Sequence, residues 1–183
     1  MSRSSRTRFV ISLVLVLTWA SMSLNVRAQS QSRNVPDEWL TPSEKSDYRE
    51  TPTYDETVAY ARKIERASRL VRVADFGRSG AGRPLPLIIA AQGGAFTPAA
   101  ARKASKLVLL IQANIHAGET DGGDAGLALL RDVAITKTRA SLLDHVTLLF
   151  IPVYNVDGYE RRSPYNRINQ NGPAEMGWRG TAT

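Results

Sequence analysis

Residues 106–133 read KLVLLIQANIHAGETDGGDAGLALLRDV. The first part, Leu107 to Ile111, is a continuous apolar run, the pattern expected of a strand covered on both faces. Beyond the loop, the leucines between Gly126 and Val133 recur at helical spacing. A second apolar segment, HVTLLFIPVYN at 145–155, comes next as another buried strand. Strand, helix and strand in that order imply a right-handed parallel crossover. The loop between the first strand and the helix carries His116 and, three positions on, Glu119.

Upstream, LVRVADFGRSGAGRPLPLIIAAQ at 70–92 alternates in its first half and is apolar in its second. Gly80-Ala81-Gly82 lies between the halves, so two strands joined by a tight turn are expected. The segment YDETVAYARKIERAS at 54–68 comes after Pro52 and places Tyr54, Val58, Ala61, Ile64 and Ala67 at helical spacing. TPAAARKAS at 97–105 is long enough for one or two helical turns. The fold class is therefore α/β, a mixed, largely parallel sheet flanked by helices with an antiparallel hairpin added.

The chain has 183 residues, 43% of them hydrophobic, which suits one globular domain. Its net charge of +7 raises the question of nucleic acid. Arg3, Arg6, Arg8 and Arg27 account for four of those charges, and the remaining +3 is spread over residues 29–183 without a basic run. Nucleic-acid binding is discounted. Residues 1–28 have the form of an export signal: three arginines, the apolar run Phe9 to Ala20, then Val26-Arg27-Ala28 with cleavage expected after Ala28. An uncleaved membrane anchor is the alternative, although the apolar run is shorter than the ~20 residues that span a bilayer. Either way a secreted or periplasmic location is expected. Residues 29–53, with Pro36, Pro42 and Pro52, read as a linker or a pro-like lead-in.

Cysteine is absent. This excludes disulfides, a thiolate nucleophile and sulfur ligands, so a metal would have to be held by His, Asp, Glu and water. His116 and His145 are the two histidines. His145 begins the strand at 145–155 and so belongs to the end of the sheet away from His116. If the chain turns into a helix at Gly118, His116 and Glu119 reach one point, at the carboxyl end of a strand where open α/β sheets place ligands. Gly122-Gly123 permit a sharp turn there, and Thr120 or Asp121 would cap the helix. On the residues alone, the pair reads equally as a loop histidine and a favourable charge near a helix N-terminus.

Four segments in one order resemble the zinc metallocarboxypeptidases similar to carboxypeptidase A and B. HAGE at 116–119 resembles their first zinc-ligand motif, and GRSGAGRPLPLI at 77–88 the hairpin ahead of it. IPVYNVDGYE at 151–160 resembles their strand ending in Asn-Pro-Asp-Gly, with Val156 where proline is usual. NQNGPAEMGWRGT at 169–181 resembles the segment leading to their substrate-binding arginines. The resemblance covers Tyr54 to Thr183. It implies a zinc cofactor, a peptide substrate cut at its C-terminal bond, His116 and Glu119 as metal ligands, and Arg179 as the cation beside the scissile carbonyl. Asn155, Asp157 and Gly158 are expected to shape the turn out of the strand, and Trp178 to serve as a pocket or packing aromatic. The third ligand, a histidine, the carboxylate-binding Asn-Arg pair and the general-base glutamate would lie beyond Thr183. This chain is then the N-terminal part of a longer enzyme and inactive alone. A zinc amidase acting on cell-wall peptides or acylated amino acids, and an exported non-catalytic binding protein, are alternatives on the same scaffold.

Overall fold

The structure is a computed structural model that describes residues 35–181. The expected export signal lies outside the described residues. The helices and strands of the described residues all belong to one compact unit that begins at Asp37.

A short 3-10 turn, Asp37–Trp39, and the helix α1, Pro42–Lys45, open this unit. Then come α2 (Tyr54–Ala67), the hairpin strands β1 (Val71–Arg78) and β2 (Pro84–Ala90), and α3 (Pro98–Lys103). They are succeeded by β3 (Leu107–Gln112), α4 (Asp121–Ala134), a 3-10 segment Ala140–Asp144, β4 (Val146–Ile151) and the single turn α5 (Val156–Tyr159).

The strands form one mixed sheet in the order β1-β2-β4-β3. β1 with β2 and β2 with β4 are antiparallel, and β3 with β4 is parallel. The parallel pair is the one joined through α4, as the strand-helix-strand order implies. Its register runs from Leu107 opposite Val146 to Gln112 opposite Ile151. Both carboxyl ends therefore point to the same edge, and His145 lies at the other.

Two expectations about these strands need correction. Leu107 to Leu110 are not covered on both faces: they are 49–71% exposed, because β3 is the edge of the described sheet. The apolar run is real, but of its residues it is Ile111 that packs on the core. The second strand ends at Ile151 rather than at residue 155. Pro152 has no N–H to donate, and pairing resumes beyond it through Tyr154 N to Ala113 O at 3.0 Å and Asn155 N to Asn114 O at 3.1 Å.

The helices are anchored by signals that periodicity does not report. Thr53 and Glu56 form a reciprocal capping box at the start of α2, the Glu56 N–H donating to Thr53 Oγ1 and the Thr53 N–H donating to Glu56 Oε2. Thr41 and Glu44 repeat the arrangement on α1. The buried face of α2 is Thr57, Tyr60, Ala61 and Ile64, and Ala67 is exposed. Helix α4 begins at Asp121, five residues ahead of Gly126, and buries Leu127, Leu130 and Val133 against Ile64, Val71, Ile88 and Phe150 in one core.

Residues from Asp37 onward, within the segment read as a lead-in, pack on this core. Thr41, Ser43 and Thr51 are buried, and the Tyr60 hydroxyl donates to Trp39 O at 2.6 Å. Arg131, 3% exposed on α4, is held between Glu44 and Asp132. A buried guanidinium is tolerated only when paired, so this contact ties α1 to the domain. Among the described residues no helix is long and apolar enough to cross a membrane.

Candidate metal centre

After β3 the chain passes Asn114 and makes a tight turn at His116-Ala117-Gly118-Glu119, closed by the Glu119 N–H donating to His116 O at 3.1 Å. Gly118 stands at φ 95°, a value glycine reaches without cost at the third position of such a turn. The expected helical approach of His116 to Glu119 is thus replaced by a β-turn, and the helix begins only at Asp121. Thr120 occupies the N-cap position without a side-chain capping bond.

The turn brings His116 Nδ1 to 3.3 Å from Glu119 Oε2. Both side chains are about half exposed, at 43% and 46%. On the other side of the ring, Arg179 Nη2 lies 3.4 Å from His116 Nε2. A hydrogen on Nδ1 satisfies both contacts, with Nδ1 donating to the carboxylate and Nε2 accepting from the guanidinium; that hydrogen must leave for Nδ1 to act as a metal ligand. Arg167 Nη2 lies 3.0 Å from Glu119 Oε1. Chiefly through Arg167, Glu119 is held below the usual carboxylate range; burial opposes this, and the contact with His116 adds to the lowering. It is ionised at neutral pH.

Two donor atoms of one four-coordinate zinc, each ~2.0–2.2 Å from the ion, stand about 3.3 to 3.5 Å apart. The His116–Glu119 spacing and donor types fit such an ion. No third His, Cys, Asp or Glu joins them among the described residues. The structure therefore brings His116, Glu119 and Arg179 together, and it adds Arg167, which carries no motif in the sequence.

Arg179 is placed by backbone contacts rather than by packing. Asn155 Nδ2 donates to Arg179 O at 3.1 Å and to Gly180 O at 2.8 Å, while its Oδ1 caps α5 by accepting from Gly158 N at 3.0 Å. The Trp178 N–H donates to Gly158 O at 2.7 Å. A Cβ at position 158 would stand 2.3 Å from Gly180 O and 2.4 Å from Trp178 O, so only glycine lets the two backbones cross there. Asp157 secures the hairpin on the same side, accepting from Ser79 Oγ at 2.7 Å, Ala81 N at 3.0 Å and Arg83 Nη1 at 3.2 Å. Burial alone would raise its carboxyl, but these donors outweigh it and hold it below the usual value. Trp178 is 49% exposed, its indole over Gly180 rather than under the loop.

His116 and Arg179 line one side of a cleft of about 590 Å³ floored by Leu85, Asn155 and Val156. Glu119 faces a neighbouring hollow of about 430 Å³ with Gln170 and Met176. A larger cavity of about 610 Å³ adjoins that hollow, between α1 and α4, sharing Thr120, Asp121 and Pro173 with it.

A family profile described as Zinc carboxypeptidase matches residues 57–179. Similar proteins include Probable carboxypeptidase 2 of Trichophyton verrucosum, 34% identical over 118 residues, covering 62% of this chain and 22% of that protein. Carboxypeptidase 2 of Trichophyton rubrum is 32% identical over 117 residues, again 62% of this chain and 21% of its own. The chain thus spans less than a quarter of the length of these relatives. Among solved structures, carboxypeptidase A from Helicoverpa armigera superposes with a TM-score of 0.56 at 21% identity, over 79% of this chain and 34% of the other. Bovine thrombin-activatable fibrinolysis inhibitor, solved with a tick carboxypeptidase inhibitor, gives 0.53 at 22% identity, over 74% and 38%. These likenesses place the fold. With two thirds of its residues matched by the profile, the chain belongs to the zinc carboxypeptidase family.

Proposed function

We propose that this chain is part of an exported zinc carboxypeptidase, secreted or periplasmic, that removes C-terminal residues from peptides. The observation that carries the reading is the convergence at the carboxyl end of β3, with His116 Nδ1 3.3 Å from Glu119 Oε2 and Arg179 3.4 Å from the far side of the ring. His116 and Glu119 would hold the zinc. When bound there, zinc supplies Lewis-acid polarisation and lowers the pKa of water toward neutrality. The chain's own contribution is a fixed cation and a shaped cleft. Arg179 lines the cleft beside His116, where its guanidinium offsets negative charge developing on a peptide carbonyl oxygen. Asn155, by gripping the backbone of residues 179 and 180, keeps that guanidinium from swinging with the tail. Among the described residues no third His, Cys, Asp or Glu stands beside the pair, so full activity requires a polypeptide that supplies further ligands and a general base. A polypeptide extended to the length of the relatives hydrolyses peptides in a chelator-sensitive way, and His116→Ala abolishes this. Activity that survives the substitution removes His116 from the metal site and the proposal with it.

A further inference from the structure

Arg167 sits in a segment with no aliphatic support, yet its side chain is only 10% exposed. Its Nε and Nη2 atoms are buried without an aligned hydrogen-bond acceptor. The segment around it is pinned: Ser163 and Met176 exchange backbone hydrogen bonds, and Asn166 Nδ2 donates to Arg161 O at 2.6 Å and Met176 O at 2.8 Å. The guanidinium passes beneath the metal-centre turn, where a Cβ on Gly118 would meet Arg167 Nε at 3.1 Å and Cγ at 3.3 Å. The same Cβ would stand 2.7 Å from Gly177 O, so the missing side chain at 118 leaves room both for that backbone and for Arg167.

Its one carboxylate partner among the described residues is Glu119, half exposed. An ion pair to an exposed carboxylate adds little stability, whereas burying a guanidinium costs. Fold stability does not account for the arrangement. What the contact does is geometric: Nη2 stands 3.0 Å from Oε1 as an ion pair, and Oε2 is the oxygen turned to His116 Nδ1.

We infer that Arg167 is a positioning residue of the metal centre, fixing which carboxylate oxygen Glu119 presents beside His116. This rests on the metal reading proposed above. Outer contacts of this type typically change metal affinity ~10- to 100-fold. The test is titration of cobalt(II), up to millimolar concentration, into the polypeptide extended to the length of the relatives, monitored by calorimetry and by the visible absorption of the bound ion, with far-UV circular dichroism as the control for folding. Arg167→Ala is expected to weaken binding about 10- to 100-fold and to change the absorption band. Arg167→Lys, which keeps the charge, recovers part of both. Should the alanine variant not fold, Arg167→Gln, neutral and closer in volume, makes the same comparison. A folded neutral variant with wild-type affinity and spectrum overturns the inference while leaving the metal reading intact. A wild-type chain that takes up no cobalt, or a His116→Ala chain that binds as the wild type does, overturns both.

Discussion

The substitution Asp124→Asn tests the reasoning about buried charge where the structure gives a definite sign. Asp124 lies on the first turn of α4, and its Oδ1 accepts from the Thr51 hydroxyl at 2.9 Å. Burial pushes its carboxyl from 3.8 up to about 6; Ser43 and Thr51 oppose the rise, and the neighbouring Asp121 adds to it. A tenfold change in proton affinity is about 1.4 kcal/mol, so the gap corresponds to about 3 kcal/mol, an upper figure because solvent still reaches the group. The folded chain holds this proton between roughly pH 4 and pH 6 and the unfolded chain does not. The contribution to stability therefore falls as the pH rises through that window and is flat above it. The asparagine variant carries no charge at this position at any pH and keeps an oxygen for Thr51. Urea melts of both proteins from pH 4 to pH 8 are expected to diverge, the variant gaining about 1 to 3 kcal/mol over the wild type by pH 7. Taking the difference between the two cancels the titrating groups that do not interact with Asp124. A difference that stays constant with pH, or that favours the wild type increasingly as the pH rises, refutes the assignment.

Two further outcomes are set by the fold. Asn155→Ala removes three hydrogen bonds, to Arg179 O, Gly180 O and from Gly158 N. At ~0.5–1.5 kcal/mol each this is a loss of about 2 to 4 kcal/mol, and trypsin should cut after Arg179 faster than in the wild type while cleavage at Arg131 is far less changed. Leu109→Lys places a charge on the bare edge strand β3, half exposed at 50%, where unpaired backbone groups and apolar side chains invite pairing between copies. Light scattering should find the wild type increasing in apparent mass with concentration and the variant doing so less; equal behaviour argues that β3 is not the adhesive edge.

Periodicity is enough to locate the strands and helices of the crossover because burial in a sheet and on a helix face leaves different repeats. It does not reveal coverage. The apolar run at 107–111 states what the strand is suited to bury, whereas its exposure depends on which strands lie beside it, and the order β1-β2-β4-β3 places it at an edge. Local chemistry stands in the sequence at Thr41 and Thr53, whose capping partners Glu44 and Glu56 come three residues on, but an apolar repeat does not register it. The approach of His116 to Glu119 is legible for a reason only partly right: an offset of three suits a helix, and Gly118 achieves the same approach in a turn. Arg167 leaves no trace, since its role depends on Gly118 lacking a side chain 49 positions earlier, a relation between two segments that no local pattern contains. The polar tail explains why. With few aliphatic residues it cannot be placed by a core, so it is placed by donors: Asn155 to residues 179 and 180, Arg162 to Thr51 O and Pro52 O, and Asn166 to Arg161 and Met176. Hydrogen bonds are directional where apolar contact is not. A segment positioned in this way holds its arginines at fixed angles to His116 and Glu119, and a site that must orient charge gains more from that than from additional burial.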